Sequence, residues 1–286
     1  MLTNAHLHFK ETFSPADFCG QNVCFCAGSA KEFASATSFT QAVNGSGSVS
    51  LSSPAVTAGI GAADGGRALI SAGLHPWTVA EAAGEPSLGW LERLLQENAD
   101  EVAAIGECGI DLYTPELKGA LPVQLHAFEK QMEIAARYEK PLVIHCRRSI
   151  QYFFEYAPRL QKLPSVIFHA YPGTLAECES LLWRGINAYF SFGGSFVQKV
   201  GSTQNGEHPE VHGAQKMQTV LIRGGKHAAE CVARLPADRL LLETDAAESA
   251  AELLPAVFRA AAKLRGVSEC ELEAVCGENF RRAYGL

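Results

Sequence analysis

The chain of 286 residues is long enough for two ordinary domains or for one α/β barrel of roughly 250 residues. Hydrophobic residues make up 47% and charged residues 19%, which is typical of a folded protein with a large core. The net charge of −7 argues against a broad basic face that coats nucleic acid, although metal ions could supply positive charge at a site. The sequence has neither an apolar stretch of the roughly 20 residues that span a bilayer nor the apolar segment of a signal peptide. Its nine cysteines are scattered and odd in number, so we expect free thiols and a cytoplasmic protein.

Short apolar runs typical of strands alternate along the chain with segments of helical period. The predicted strands span residues 2–6, 23–27, 68–74, 102–107, 142–145, 166–169, 188–192 and 239–244. The predicted helices span residues 88–98, 123–139, 175–184, 220–234, 252–265 and 269–274. Eight strands that alternate with helices over this length predict an α/β protein with the (β/α)8 TIM-barrel fold.

Two long connections interrupt this pattern within what we expect to be one barrel domain over residues 1–286. Residues 29–66 are long for a single connection and contain the turn sequence Asn-Gly-Ser-Gly-Ser. Residues 199–226 are polar and rich in glycine, which predicts a loop insertion. Because a loop of this length is usually functional or mobile, we expect it either to cover the mouth of the barrel or to form a disordered surface insertion.

Six residues of types that bind metal each stand at the end of an apolar run or just beyond it. The active site of a barrel enzyme lies at the C-terminal ends of the strands, so the fold would bring these side chains together. The six residues are His6, His8, Glu107, His145, His169 and Asp245.

These residue types predict a centre for two divalent metal ions. Alternate residues of a strand point to one face, so His6 and His8 can bind the same ion. The two oxygens of Glu107 could bridge two ions, and His145 and His169 could complete the second site. Two ions about 4 Å apart could generate hydroxide near neutral pH and stabilise the attacking and leaving oxygens.

Asp245 could bind an ion while it positions or deprotonates the attacking water. Each residue also has an ordinary structural alternative: a lone histidine is usually hydrogen-bonded, Glu107 could form a salt bridge, and Asp245 could cap the following helix. Six independent structural roles at the same end of a barrel would be a rare coincidence. Their joint occurrence therefore favours the metal centre.

Five segments in order along nearly the whole chain carry more specific patterns: 73–77 (Gly-Leu-His-Pro-Trp), 105–111 (Ile-Gly-Glu-Cys-Gly-Ile-Asp), 141–147 (Pro-Leu-Val-Ile-His-Cys-Arg), 241–245 (Leu-Leu-Glu-Thr-Asp) and 279–282 (Asn-Phe-Arg-Arg). Together they resemble the motifs of the TatD family. That family consists of metal-dependent hydrolases on a TIM barrel within the wider amidohydrolase group. Its best-known members are magnesium-dependent DNases with 3′-exonuclease activity.

The resemblance implies a role for each matching residue of this chain. One metal ion would be bound by His6, His8, Glu107 and Asp245, and the other by Glu107, His145 and His169.

Two further residues match family positions beside the substrate. His75 would lie next to the substrate or, alternatively, pack within a His-Pro-Trp turn. Arg147 would bind a phosphate oxygen, with a surface salt bridge as the alternative. Asp111 would brace the loop after Glu107 or contact the substrate.

The chain also departs from the family pattern around its predicted ligands. Asn4 stands where the family usually has aspartate, which would weaken the hydrogen-bonded support of the first imidazoles. Ala170 and Tyr171 replace the usual Cys-Phe after His169, and Ala246 follows Asp245 in a segment where the family has proline. The ligands are therefore retained while the loops that would face the substrate differ.

We expect a deoxyribonuclease that removes nucleotides in the 3′-to-5′ direction, with two ions of Mg, Mn or Zn, a metal-activated water and Asp245 as general base. The partner would be DNA or another phosphodiester, without a membrane or an obligate protein partner. One alternative is a hydrolase of a small ester, amide or lactone. Glu107 makes it less favoured, since many such enzymes carry a bridging lysine at that place. A second alternative is a non-catalytic relative that binds metal.

Overall fold

Eight parallel strands stand side by side in chain order in the computed structural model, which describes residues 1–45, 66–82, 87–193, 225–245 and 250–286. The predicted α/β barrel is therefore confirmed. The strands are β1 (Thr3–His8), β2 (Asn22–Ala27), β3 (Ala68–Ala72), β4 (Ala104–Asp111), β5 (Leu142–Arg147), β6 (Val166–His169), β7 (Ala188–Phe192) and β8 (Leu240–Leu242).

Helices follow the strands and cover the outside of the barrel. They are α1 (Ala30–Gly45), α2 (Pro76–Glu81), α3 (Gly89–Asn98), α4 (Pro115–Gly119), α5 (Leu121–Arg137), α6 (Ile150–Glu155), α7 (Ala157–Leu160), α8 (Leu175–Trp183), α9 (Lys226–Arg234), α10 (Ala250–Arg265) and α11 (Glu269–Tyr284). Within the described ranges, no helix is long and apolar enough to cross a membrane.

Strand positions agree with the sequence prediction within a few residues, with one difference that matters for the site. The predicted strand 102–107 ends at Glu107, whereas β4 continues to Asp111. The pairing of β4 with β5 shifts register between Ile105 and Cys108. This irregularity lies at Glu107, so the carboxylate projects from inside a strand and not from a loop.

No helix was predicted within the long connection 29–66, but its first part is helical. Residues 30–45 form α1, which buries Phe33, Ala36, Thr40 and Val43 against the sheet. The spacing of these four residues is helical, but small and hydroxyl side chains dilute the apolar pattern. The predicted helix 269–274 is also too short, because α11 runs on to Tyr284. Most of the predicted insertion, residues 199–224, lies outside the described residues.

Apolar side chains fill both sides of the sheet, as a parallel sheet covered by helices requires. Inside the barrel, Ala5, Cys24, Val143, Ile167 and Leu241 form one buried cluster with residues of α11. A larger cluster packs the outer faces of the strands against the helices. The core thus fixes both faces of every strand, which leaves the strand ends as the place for polar side chains.

Backbone hydrogen bonds close the barrel between β1 and the residue that follows β8 by three positions. The amide of Asp245 donates to the carbonyl of His6 at 3.2 Å, and the amide of His8 donates to the carbonyl of Asp245 at 3.0 Å. Leu7 and Asp245 thereby form a parallel bridge. Three predicted metal ligands therefore lie on the seam that joins the first strand to the last.

The motif residue Asn279 fastens α11 to the opposite end of β8. Its buried side-chain amide donates to the carbonyls of Ala237 at 2.7 Å and Leu240 at 2.8 Å. Phe280, the next residue, is fully buried and packs against Tyr284. The hydroxyl of Tyr284 in turn donates to the carbonyl of Ala5 at 2.7 Å. The closing motif therefore connects α11 to both strands of the seam.

Replacing Asn279 by Ala removes both donors and leaves two carbonyls without their partner. We expect the free energy of unfolding to fall by about 1–3 kcal/mol, measured by urea denaturation followed by circular dichroism. Arg282→Ala on the exposed face of the same helix is the control and should change it by less than about 0.5 kcal/mol. Equal stability of the two variants would contradict this role of Asn279.

Candidate metal centre

The six predicted ligands converge at the C-terminal end of the barrel, as the sequence predicts. His6 and His8 project from β1, Glu107 from β4, His145 from β5 and His169 from β6. Asp245 follows β8.

Glu107 is buried at the centre of the cluster, and its two carboxylate oxygens face different histidines. Oε2 lies 3.4 Å from Nε2 of His6 and 3.2 Å from Nε2 of His8. Oε1 lies 2.7 Å from Nδ1 of His145 and 2.5 Å from Nε2 of His169. The carboxylate thus divides the cluster into the two halves that a bridging ligand requires.

Glycines on both sides of Glu107 permit β4 and β5 to approach closely enough for this arrangement. Gly106 and Gly109 have φ values of 133° and 144°, which residues other than glycine rarely adopt. A Cβ atom at Gly109 would lie 2.0 Å from the carbonyl oxygen of His145, and one at Gly106 would lie 2.4 Å from that of Val143. The glycines of the Gly-Glu-Cys-Gly sequence therefore allow the close distance between Glu107 and β5, the strand that carries His145.

Asp245 completes the half of the cluster that contains the first two histidines. Its Oδ1 atom lies 3.6 Å from Nε2 of His8 and 3.9 Å from Nε2 of His6. Its backbone has a φ of 57°, a strained conformation for a residue with a side chain. The two hydrogen bonds to β1 hold Asp245 in this conformation. With 42% of its side chain exposed, Asp245 is more open to solvent than the other carboxylate of the cluster.

His75 lies closer to the cluster than either sequence interpretation required. Its Nε2 atom is 3.2 Å from Oε1 of Glu107 and 3.3 Å from Nδ1 of His145. Its Nδ1 atom accepts a hydrogen bond from the Trp77 amide at 3.1 Å and caps α2. His75 therefore supports its own turn with one nitrogen and faces the centre with the other, so it can join Glu107 and His145 around an ion.

Carboxylates of two residues that sequence analysis did not include among the ligands support the histidines. Oδ2 of buried Asp111 lies 3.0 Å from Nε2 of His145. Burial would raise the pKa of Asp111, but hydrogen bonds from His145, Trp77 and the Tyr113 amide lower it to about 2. The carboxylate is therefore charged at neutral pH and orients the imidazole.

Glu243 lies beside His169 within ion-pair distance but without a hydrogen bond to the ring. Its Oε1 atom lies 3.6 Å from Nδ1 of His169 and accepts a hydrogen bond from the Ala170 amide at 2.8 Å. Oε2 accepts a hydrogen bond from the hydroxyl of Ser191. Only the alternation of Glu243 with Asp245 along the chain could have indicated from the sequence that a second carboxylate reaches this end of the barrel.

Asn4 does not take over the support that the family's aspartate would give to the imidazoles. Its side-chain amide donates to Oγ1 of Thr244 at 2.7 Å, and its carbonyl oxygen accepts from the Thr244 amide at 3.0 Å. Asn4 therefore fixes the backbone beside Asp245.

Cys26 is a further neighbour of Glu107 that the sequence did not indicate. Its sulfur accepts a hydrogen bond from the Glu107 amide at 3.2 Å.

The chemistry of these side chains fits divalent cations. Buried atoms of the cluster that lack a hydrogen-bond partner among the described residues include Nδ1 and Nε2 of His6 and Oε2 of Glu107. Unpaired buried polar atoms are costly, and a cation between Nε2 of His6 and Oε2 of Glu107 would satisfy these two atoms at once. Burial would raise the pKa of Glu107, but the charge of His169 and hydrogen bonds from the histidines hold it well below its usual range. Nitrogen and carboxylate donors of this kind suit Zn²⁺ and Mn²⁺, and carboxylates suit Mg²⁺.

Arg147 ends β5 beside the cluster, half-buried, with its guanidinium 3.7 Å from the centre of the Tyr113 ring. None of the described acidic residues forms an ion pair with it, so the alternative of a surface salt bridge finds no partner in the described part of the chain.

The barrel and this cluster together define a metal-dependent hydrolase of the TIM-barrel class.

Comparison with known proteins gives the family. A model of the TatD related DNases matches residues 4–285. The chain is 30% identical over 235 residues to an Erwinia tasmaniensis protein named 3′-5′ ssDNA/RNA exonuclease TatD, with 76% of this chain and 78% of that protein covered. An Erwinia billingiae protein of the same name is also 30% identical, with 76% and 77% covered. The chain therefore belongs to the TatD family of metal-dependent enzymes, as its motifs predict.

Solved structures confirm the fold. The TatD homologue YjjV from Escherichia coli K12 aligns with a TM-score of 0.72 at 20% identity, covering 100% of this chain and 98% of the other. A hydrolase of the TatD family from Entamoeba histolytica aligns with a TM-score of 0.62 at 16% identity, covering 92% and 84%. Both likenesses extend over nearly the whole barrel.

Glu107→Gln tests whether one carboxylate serves both halves of the cluster. The amide keeps the shape but removes the negative charge, so we expect affinity for Mn²⁺ to fall at least about ten-fold, because loss of even a supporting residue costs 10–100-fold. Calorimetric titration of metal-stripped protein measures this affinity. Glu101→Gln, at the opposite end of the barrel just before β4, is the control, and equal affinities of the two variants would contradict the role of Glu107.

Proposed function

We propose that the protein is a nuclease that uses two divalent ions to remove nucleotides from the 3′ end of single-stranded DNA. The observation that carries the proposal is the division of the cluster by the two oxygens of Glu107. The names of the Erwinia relatives support the substrate and the direction. The ion of one half would be bound by His6, His8, Glu107 and Asp245, and that of the other half by Glu107, His145 and His169.

Bound divalent ions would supply Lewis acidity to the phosphoryl group and lower the pKa of a water molecule. The protein's own contribution is to hold the donors in place before substrate arrives. Asp111 orients His145 through a contact of 3.0 Å, and Glu243 places a negative charge beside His169. The buried Glu107 keeps its negative charge, so the centre retains an anionic ligand at neutral pH.

Asp245 is the residue that we assign as general base. Its carboxylate is partly open to solvent, whereas Glu107 is buried and surrounded by histidines. An attacking water beside Asp245 can therefore donate a hydrogen bond to its carboxylate and pass it a proton as the water oxygen bonds to phosphorus. The bond from phosphorus to the 3′ oxygen of the remaining strand breaks, and that oxygen leaves and takes up a proton. The backbone bonds to β1 fix the direction in which the carboxylate points.

Arg147 and His75 are the residues that we assign to the substrate. The guanidinium of Arg147 is planar and suited to a phosphate oxygen, and it lies at the end of the strand that carries His145. His75 lies within hydrogen-bond distance of the centre on the adjacent side. A phosphodiester placed over the cluster would meet a positive group on this side, despite the net negative charge of the chain.

An end-labelled oligonucleotide tests this function directly. In Mg²⁺ or Mn²⁺, a 5′-labelled single strand should shorten stepwise from its 3′ end, and EDTA should stop the reaction. Asp245→Asn should lower kcat about 100-fold or more, as loss of a general base does, while calorimetry still detects bound Mn²⁺.

Asp238→Asn is the matched control, because Asp238 is exposed and precedes the same strand at the opposite end of the barrel. It should retain wild-type activity. An intact oligonucleotide under conditions in which a TatD exonuclease degrades it would reject the proposal. Faster turnover of small esters, amides or lactones than of oligonucleotides would favour the alternative hydrolase.

A further inference from the structure

Two large aromatic side chains stand exposed beside the metal centre. Trp77 has 47% and Tyr113 46% of its surface exposed. Large apolar side chains are normally buried, so their exposure next to a site that already has a proposed chemistry points to a ligand. The other such residue with a large exposed ring among the described residues is Trp183, 85% exposed, at the end of α8 that points away from the centre.

One carboxylate fixes both aromatic residues relative to the cluster. Oδ2 of Asp111 accepts a hydrogen bond from the indole of Trp77 at 2.8 Å, and Oδ1 accepts from the backbone amide of Tyr113 at 2.8 Å. The same Oδ2 lies 3.0 Å from Nε2 of His145. The centres of the Trp77 and His145 rings are 6.3 Å apart. Asp111 therefore fixes the Trp77 indole and the backbone of Tyr113 relative to His145.

Two guanidinium groups accompany the aromatic pair. Arg147 lies 3.7 Å and Arg148 4.6 Å from the centre of the Tyr113 ring. Neither forms an ion pair with a described acidic residue, in a chain whose net charge is −7. Arg148 is exposed and has a φ of 58°, so strained backbone holds it at this position. An exposed guanidinium can turn from the ring to a phosphate, and it can also stack on a base.

We propose that Trp77 and Tyr113 form a stacking platform for the terminal bases of a single-stranded nucleic acid, with Arg147 and Arg148 on the flanking phosphates. This inference rests on the proposed nuclease function and assigns its base-binding subsite. Stacking on aromatic rings tolerates any base, because every base has a π face, and an exonuclease that proceeds along a strand needs that tolerance. A duplex end would have to unpair before its bases could reach the rings, so the platform also favours single strands.

The test compares two oligonucleotides that differ only in their bases. One has ordinary nucleotides at its last two 3′ positions, and the other has abasic tetrahydrofuran residues there. Tyr113→Ala should raise KM for the ordinary strand about ten-fold, as loss of one stacked base predicts, and should leave kcat within about two-fold. KM for the abasic strand should not change. Tyr113→Phe, which retains the ring, should restore most of the lost affinity, and Trp183→Ala should match the wild type.

Trp77 needs two variants, because its indole also binds Asp111. Trp77→Phe retains a ring but loses the hydrogen bond, whereas Trp77→Ala loses both. A platform predicts that only Trp77→Ala raises KM for the ordinary strand selectively. An equal fall of kcat on both strands in Trp77→Phe and Trp77→Ala would assign Trp77 to positioning of Asp111 and overturn its part in the platform.

A binding measurement separates this inference from the proposed activity. Fluorescence anisotropy of a labelled oligonucleotide, in the Asp245→Asn background with Mn²⁺, needs no turnover. If the wild type cleaves nothing but Tyr113→Ala still weakens binding of the ordinary strand alone, the nuclease function fails and the platform remains. If Tyr113→Ala leaves binding unchanged, or weakens both strands equally, the platform is rejected whatever the activity.

Discussion

Closure of the barrel between β1 and Asp245 is the interaction on which the site depends. Two backbone hydrogen bonds place Asp245 between the carbonyl of His6 and the amide of His8. The same three residues supply the ligands of one half of the cluster. Because strand pairing is set by backbone geometry, the fold itself places the backbones of these three residues side by side. The strained φ of Asp245 is maintained by the surrounding pairs, with Asn4 fixing the residue next to it.

Glu107 illustrates how burial and charge are reconciled at such a centre. A buried carboxylate alone would tend to take up a proton, but five histidines within 3.4 Å of its oxygens favour the charged form. The cost of this arrangement is a cluster of histidines that repel one another when protonated. Burial and the neighbouring His169 lower the pKa of His6, whereas the charge of Glu107 overcomes burial and holds the pKa of His169 well above its usual range.

The eight strands and the convergence of the six candidate ligands could be predicted from the sequence, because each candidate stands near the end of a continuous apolar run. Periodicity is a local property, so it also located α3, α5, α8, α9, α10 and the first part of α11, but not the short helices α2, α4, α6 and α7. It missed α1, whose buried face contains Ala36 and Thr40. It could not give the contacts of Asp111 and Glu243 with the histidines either, because those depend on the register between strands. β4 and β5 come into close contact at Gly109, and this contact influences where Glu107 points. It depends on positive φ values, which no apolar pattern encodes.

Tertiary contacts also explain why His75 was ambiguous from the sequence. Its helix-capping nitrogen and its cluster-facing nitrogen belong to one ring, so the structural and functional interpretations are both correct in part. Asn279 shows the opposite case, where a residue of a family motif far from the chemistry holds the end of β8 through two carbonyls. Motif residues in this chain thus divide between those that form the centre and those that keep the strands in register.

The seam between β1 and Asp245 has a consequence for local opening of the barrel. Among the described residues, two hydrogen bonds between backbone groups cross it beyond the end of β8, from the amides of His8 and Asp245. Opening there would separate the candidate ligands of a single ion. A cation bound by His6, His8 and Asp245 would hold β1 and the segment after β8 together. Exchange of these two amide protons with heavy water would then slow far more than exchange elsewhere in the sheet, and the rate of opening would set how quickly the ion can escape.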